Sequence, residues 1–149
     1  MNLVDYNSVV ESFHKESERG AAILAATFVD EYLAEFLKLF MSDGKAAQEL
    51  LGPSGALGTF RNRIECAFAF GMIPESVRKD LNYIREIRNK FAHNFVGVSF
   101  STQPVCDLCK NLSLPDDAGD PRTRYLLAVG LAVGTLYNTL LVHKKLSQE

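Results

Sequence analysis

The sequence predicts an all-α fold: a single-domain helical bundle of about six or seven helices, including short ones. Apolar residues recur at the three- and four-residue spacing of an α-helix in several segments, and strand signals are nearly absent. The chain has 149 residues, of which 47% are hydrophobic and 23% charged, values typical of a soluble globular domain. We therefore expect one domain that covers residues 1–149 and has a substantial core.

Short breaks rich in Gly, Pro or Asp separate the predicted helices. Gly71 is typical of a helix end, and Pro74 is typical of a helix start. The segment SLPDDAGDPR at 113–122 is a loop, whereas FVGVSFST at 95–102 fits either a loop or a lone strand. We predict helices at residues 3–14, 17–41, 46–51, 59–70, 75–93, 103–112 and 121–146.

Charge and cysteine content narrow the classes of function. The net charge of −2 and the pI of about 5.9 lack the basic excess of a dedicated nucleic-acid binder. The opening MNLVDYNSVVES is not a secretory signal, and three cysteines, an odd number, indicate reduced thiols in a cytoplasmic protein. Cys106 and Cys109 form a CxxC without the further ligands of a zinc site, and phosphate-loop and hydrolase motifs are absent from the sequence. We expect no cofactor and no metal.

One apolar run, YLLAVGLAVGTLYNTLLV at 125–142, has the length of a membrane span. Asn138 interrupts it, and an amide is costly in hydrocarbon, so we predict a buried core helix and no membrane partner. Gly130 and Gly134 contribute to a small-residue face on this helix. Such a face allows close helix packing, either inside the bundle or between two copies of a homo-oligomer.

Several charged residues fall on apolar helix faces. Arg88 lies on the same face as the core residues of the 75–93 helix, and Glu18 projects onto the apolar face of the 17–41 helix, with Arg19 and Asp30 at its edge. A buried charge without a partner is very costly. We therefore predict an ion pair between Glu18 and Arg88, which either locks the register of the two helices or belongs to a site with tuned charges.

The segment IREIRNKFAHN resembles the Arg-x4-His signature of the HEPN superfamily of small helical domains, some of which are metal-independent ribonucleases. The resemblance implies roles for Arg88, Asn89 and His93. A histidine moves the 2′-hydroxyl proton of RNA, and an arginine neutralises the phosphate in the transition state. Five residues place Arg88 and His93 about 140° apart on one helix. The structural alternative is that Arg88 is paired in the core while Asn89 and His93 brace the helix end.

The sequence contains four ordered blocks: ESERG at 16–20 followed by AAILAATFVDEYL, GALGTF at 55–60 before a helix with Arg63, AFGMI at 69–73, and L-x-x-I-R-x-I-R-N-x-F-A-H at 81–93. Over about residues 14–112, these blocks resemble the mannitol operon repressor (MtlR) family. The resemblance implies an all-α fold and a transcriptional regulator, named for repressing mannitol uptake and utilisation genes, without an enzymatic reaction.

A direct DNA reader would need an exposed basic helix. The best helix-turn-helix candidate covers residues 59–90, but its Arg and Lys residues are interleaved with Glu65, Glu75, Asp80 and Glu86, which weakens phosphate attraction. The sequence therefore favours a regulator that acts through a protein partner and self-associates. The alternatives are an RNA-binding or RNA-cleaving HEPN-type protein and a direct DNA-binding repressor.

Overall fold

The computed structural model describes residues 3–42 and 44–147, and these residues contain seven α-helices and no strand. This confirms the predicted all-α bundle. The helices are α1 (Leu3–His14), α2 (Glu18–Lys38), α3 (Gly44–Leu51), α4 (Phe60–Ala69), α5 (Glu75–His93), α6 (Val105–Lys110) and α7 (Pro121–Leu146).

Side-chain caps start three of these helices. Ser17, Thr59 and Asp120 each accept a hydrogen bond from a backbone N–H of the first turn, in α2, α4 and α7 respectively. These bonds satisfy amides that have no partner inside the helix. Gly71 follows α4 with a φ of 70°, a left-handed conformation that glycine adopts without steric cost.

The core lies between α2, α5 and α7, which all contact one another, while α4 and α6 pack against their sides. The α2 helix contributes a buried face that combines small alanines, such as Ala22 and Ala25, with larger residues, such as Leu33 and Phe36. Leu81, Ile84, Ile87 and Phe91 of α5 are fully buried. The shorter α3 packs on α2, so it lies at the periphery of the bundle.

The sequence allows either a loop or a lone strand after α5, and the structure shows a loop. If the helix had continued beyond His93, Phe95 would have joined the core face of α5. Instead, Asn94 adopts an extended conformation (φ −115°, ψ 106°), α5 ends at His93, and Phe95 points to solvent. Residues 95–102 form bends and turns, so the alternative of a lone strand is wrong.

Candidate interaction surface

Two charged residues at the start of α2 anchor the chain that follows α5. The Arg19 guanidinium donates to the carbonyl oxygen of Phe91 and, at 2.6 Å, to that of Asn94. The Glu18 carboxylate accepts a hydrogen bond from the backbone N–H of Phe100 at 3.2 Å. The backbone is thereby held on both sides of residues 95–98.

The loop between these anchors presents an apolar tip, Phe95 and Val96, to solvent. Phe95 is 85% exposed and Val96 is 90% exposed. Gly97 has a φ of 76°, a turn that favours glycine, and Phe100 then returns to the core. The Phe100 ring lies 5.3 Å from that of Tyr125, centroid to centroid. The base of the loop is therefore held by hydrogen bonds, and its apolar tip is exposed to solvent.

The structure separates the residues of the predicted Glu18–Arg88 ion pair. Within the described residues, Glu18 and Arg88 form no ion pair, and the closest pairing on α2 is instead between Asp30 and Arg63 at 2.7 Å. Burial raises the pKa of Asp30, and the hydrogen bond from Arg63 opposes that rise. Arg63 is the residue that the helix-face argument missed, because its side chain reaches α2 from a neighbouring helix.

Arg63 also binds backbone groups. Its Nε donates to the carbonyl oxygen of Leu57 at 2.9 Å, and its Nη2 donates to that of Leu51 at 3.0 Å. One buried guanidinium therefore joins α2, the end of α3 and the loop before α4.

The predicted HEPN-type residues lie along the end of α5. Arg88 and Asn89 are half-buried, and His93 is exposed. In the described part of the chain, the Arg88 Nε is buried and has no hydrogen-bond partner. The end of α5 carries a bracing contact from Asn94, whose side-chain amide donates to the carbonyl oxygen of Lys90 at 2.9 Å.

Two arginines of the candidate DNA-reading helices, Arg63 and Arg78, are engaged within the chain. Arg78 donates to Glu65 at 2.8 Å and to Glu75 at 3.4 Å, and its guanidinium lies 4.7 Å from the centre of the Phe68 ring. The hydrogen bond from Arg78 lowers the pKa of Glu65. Because Arg63 is buried as well, neither arginine is free to neutralise a phosphate.

Two residues at the start of α7 form contacts that the sequence analysis did not anticipate. The Arg124 guanidinium is buried and donates to five carbonyl oxygens, including those of Cys109 at 3.1 Å and Pro115 at 2.6 Å. The Tyr125 hydroxyl donates to the carbonyl oxygen of Ala22 at 2.6 Å. The sequence signal that could have revealed the role of Arg124 was an arginine within the first turn of a largely apolar helix.

The three cysteines are free thiols, with Cys109 buried and Cys66 and Cys106 half-buried. Burial raises the pKa of Cys109 to about 12, so this thiol is protonated and unreactive at neutral pH. Within residues 3–42 and 44–147, no group of three or more His, Cys, Asp or Glu side chains is arranged to hold a metal ion.

The bundle shares its fold with known helical proteins. A chain in the X-ray structure of the MtlR–HPr complex from Escherichia coli superposes with a TM-score of 0.71 and 17% identity, covering 87% of this chain and 96% of that chain. YggD from Shigella flexneri, described as a possible transcriptional regulator, superposes with a TM-score of 0.73 and 15% identity, covering 91% and 99%. The fold is therefore MtlR-like. No protein-family model and no curated protein sequence matches the chain.

Proposed function

We propose that this chain is a transcriptional regulator of the MtlR type that acts by binding a protein partner and not by reading DNA directly. The observation that carries the proposal is the apolar tip of Phe95 and Val96, which is solvated above a loop anchored by Arg19 and Glu18. Large apolar side chains presented on a rigid base are typical centres of protein–protein interfaces. The MtlR-like fold adds support, because one structure of this fold is a complex with HPr.

The charge distribution supports a protein partner over DNA. Arg63 and Arg78 bind acidic side chains of the same chain, so these two cations of the best helix-turn-helix candidate are already paired. Specific DNA binding depends on cations that contact phosphates. We expect the pure chain to show no sequence-specific duplex binding in a mobility-shift assay at physiological salt.

The direct test is titration calorimetry with the HPr protein encoded in the same genome. A central apolar anchor typically contributes at least 2 kcal/mol to binding, so Phe95→Ala is expected to weaken the complex about 30-fold. The matched control is Phe70→Ala, because Phe70 is also exposed (73%) but precedes α5, whereas Phe95 follows it, and this 19-residue helix is about 28 Å long. Equal binding by the parent and Phe95→Ala would exclude the apolar tip as the binding site.

The second candidate function is metal-independent RNA cleavage by Arg88, Asn89 and His93. It is favoured by one observation, the unpartnered Nε of Arg88 on the helix that ends with the exposed His93. The assay is cleavage of mixed RNA in EDTA by the parent and by His93→Ala. Under the regulator proposal neither protein cleaves RNA, whereas cleavage that is lost in His93→Ala would establish the ribonuclease in its place.

A further inference from the structure

Two arginines on successive turns of α5 carry buried nitrogen atoms for which the chain supplies no acceptor. Arg85 and Arg88 are three residues apart, so their side chains leave the helix as neighbours, and both are half-buried. In the part of the chain that the structure describes, the Nε atom of each is buried and has no hydrogen-bond partner. Buried polar groups without a partner are rare in folded proteins, and two on neighbouring turns require an explanation.

The carboxylates on the helices that pack against α5 have other partners or lie in solvent. Both α2 and α4 contact α5. On α2, Glu18 accepts a backbone N–H, and Asp30 pairs with Arg63 at 2.7 Å. The other carboxylates of α2 are exposed. On α4, Glu65 pairs with Arg78 at 2.8 Å. Within residues 3–42 and 44–147, neither of the two α5 arginines therefore takes part in an ion pair.

Positive charge exceeds negative charge where α2 meets α5. Burial raises the pKa of Asp30, the hydrogen bond from Arg63 opposes that rise, and the charge of Arg88 opposes it more weakly. Arg88 is therefore close enough to interact with the Asp30 carboxylate but does not bind it. Among the described residues, the hydrogen bond of Arg85 is a long one, from its Nη2 to the Asn82 Oδ1 at 3.4 Å. A cation that is partly removed from water without a bound anion is costly, so these two guanidinium groups lack the acceptor that would compensate them.

We propose that Arg85 and Arg88 together bind a phosphate dianion, either the free ion or a small phosphate monoester. A guanidinium binds phosphate through two parallel N–H groups, so each Nε gains an acceptor when the ion binds. A phosphate monoester carries a charge of about −1.5 to −2 at pH 7, which matches two guanidinium groups. A carboxylate or a phosphodiester carries a single negative charge and matches one arginine. Because both Nε atoms are buried, the ligand must be small enough to reach them between the side chains of α5 and its neighbours.

The first test is proton–nitrogen NMR of the full chain, titrated with inorganic phosphate at constant ionic strength in a chloride buffer. The Nε–H signals of Arg85 and Arg88 should shift together, with a dissociation constant of about 1 mM for two charge-assisted contacts. Arg85→Gln and Arg88→Gln should each weaken binding about tenfold or more. The matched control is Lys90→Gln, which removes an exposed positive charge about 140–160° around α5 from the two arginines and should leave binding within about twofold of the parent. If neither Nε–H signal shifts, the site does not exist.

The second test compares thermal unfolding of the parent and Arg88→Met. In chloride the variant should be at least as stable as the parent, because methionine removes a partly buried charge that has no bound anion. Inorganic phosphate at about 10 mM should raise the unfolding temperature of the parent by about 4 °C and leave that of the variant unchanged. General salt effects act on both proteins alike. Equal responses of parent and variant to phosphate would overturn the proposal, and if Arg88→Met fails to fold, Arg85→Gln replaces it in the same comparison.

The third test identifies the source of the phosphate by titrating phenyl phosphate and a single-stranded oligoribonucleotide without terminal phosphates. The proposal predicts that inorganic phosphate or phenyl phosphate binds more tightly per phosphate group than the oligonucleotide, and that Arg85→Gln weakens both. Tighter binding of inorganic phosphate identifies the free ion as the ligand, and tighter binding of phenyl phosphate identifies a monoester. Tighter binding of the oligonucleotide through the same arginines would overturn the small ligand and favour the RNA-cleaving candidate.

This proposal and the proposed function can fail separately, because Arg85 lies within α5 whereas Phe95 and Val96 lie on the loop that follows it. Arg85→Gln is expected to leave the affinity for HPr unchanged, and Phe95→Ala is expected to leave phosphate binding unchanged. Loss of HPr binding in Arg85→Gln, with no response of the parent to phosphate, would instead show that the two arginines meet an acidic group of the protein partner.

Discussion

The inner and outer faces of α7 are similarly apolar in sequence but have opposite environments. On the inner face, Tyr125 and Leu136 are fully buried and Arg124 is nearly so. On the outer face, Leu127 and Leu131 are 44% and 58% exposed. The helix as a whole is long and apolar enough to cross a membrane, yet only 39% of its most apolar window is buried. Apolar character alone therefore does not distinguish the two faces.

Hydrogen bonds from Arg124 and Tyr125 determine which face of α7 is buried. Arg124 gathers the carbonyl oxygens of the α6–α7 connection, and the Tyr125 hydroxyl binds the backbone of α2. These bonds have a fixed direction, whereas the attraction between apolar side chains is non-directional. They orient α7 so that the face carrying Tyr125 and Leu136 enters the core. The opposite face, with Leu127 and Leu131, is left exposed.

The largest expected change in the free energy of unfolding comes from removing the Arg124 guanidinium. Arg124→Met keeps much of the side-chain volume but leaves several buried carbonyl oxygens without a donor, and we expect a loss of about 4 kcal/mol in the free energy of unfolding. Lys144→Met, on the exposed end of the same helix, should change it by less than about 0.5 kcal/mol. Urea denaturation measures both values, and equal values would show that Arg124 does not anchor α7.

Substitutions at two leucines five residues apart test which face of α7 lies in the core. Leu136→Ala removes a side chain with 0% exposure and should cost about 3 kcal/mol through lost burial and the resulting cavity. Leu131→Ala should cost less than about 0.5 kcal/mol in the monomer, because that side chain is 58% exposed. The comparison needs dilute protein, so that self-association does not contribute. A similar cost at both positions would contradict the orientation of α7.

Most helices could be predicted from the sequence because their signals are local. Helical periodicity and the signals at Gly71, Pro74 and Pro121 give α4, α5 and α7 to within a residue or two of their observed bounds. The all-α class follows from the same periodicity. The contacts between helices could not be predicted this way, since a helical projection shows which face a residue occupies and not which helix it meets.

The charged residues illustrate that limit. Glu18, Asp30 and Arg88 are half-buried in the structure, and the observed partners of Glu18 and Asp30 come from other segments of the chain. Glu18 meets the backbone of Phe100, which is 82 residues away in sequence. Long-range partners of this kind depend on the tertiary arrangement, and a single sequence carries no periodic signal for them.

The start of α7 provides a smaller, pH-dependent test. Asp120 accepts the Thr123 N–H at 2.8 Å, and this backbone hydrogen bond lowers the pKa of the carboxyl group. Because the pKa of Asp120 is lower in the folded state than in the unfolded state, ionised Asp120 stabilises the fold. This contribution is fully present above the pKa of the unfolded state and is lost as the pH falls through the pKa of the folded state. Asp120→Ala should cost about 1 kcal/mol at pH 7. The difference from the parent should shrink as the pH falls below the ordinary aspartate pKa of about 3.9, as measured by urea denaturation across pH.

The smallest expected effect is a gain in stability on the outer face. Gly134→Ala should raise the free energy of unfolding of the monomer by about 0.8 kcal/mol, because alanine is the better helix former and the added methyl group meets no atom within 4 Å. The reverse change on the inner face, Ala132→Gly, should lower it by at least as much, since Ala132 is only 2% exposed and its methyl group is packed. A loss of stability in Gly134→Ala would mean that the outer face is already occupied within the monomer. Helix propensity alone predicts changes of equal size and opposite sign at the two positions, so the amount by which the loss in Ala132→Gly exceeds the gain in Gly134→Ala measures the packing of the inner face of α7.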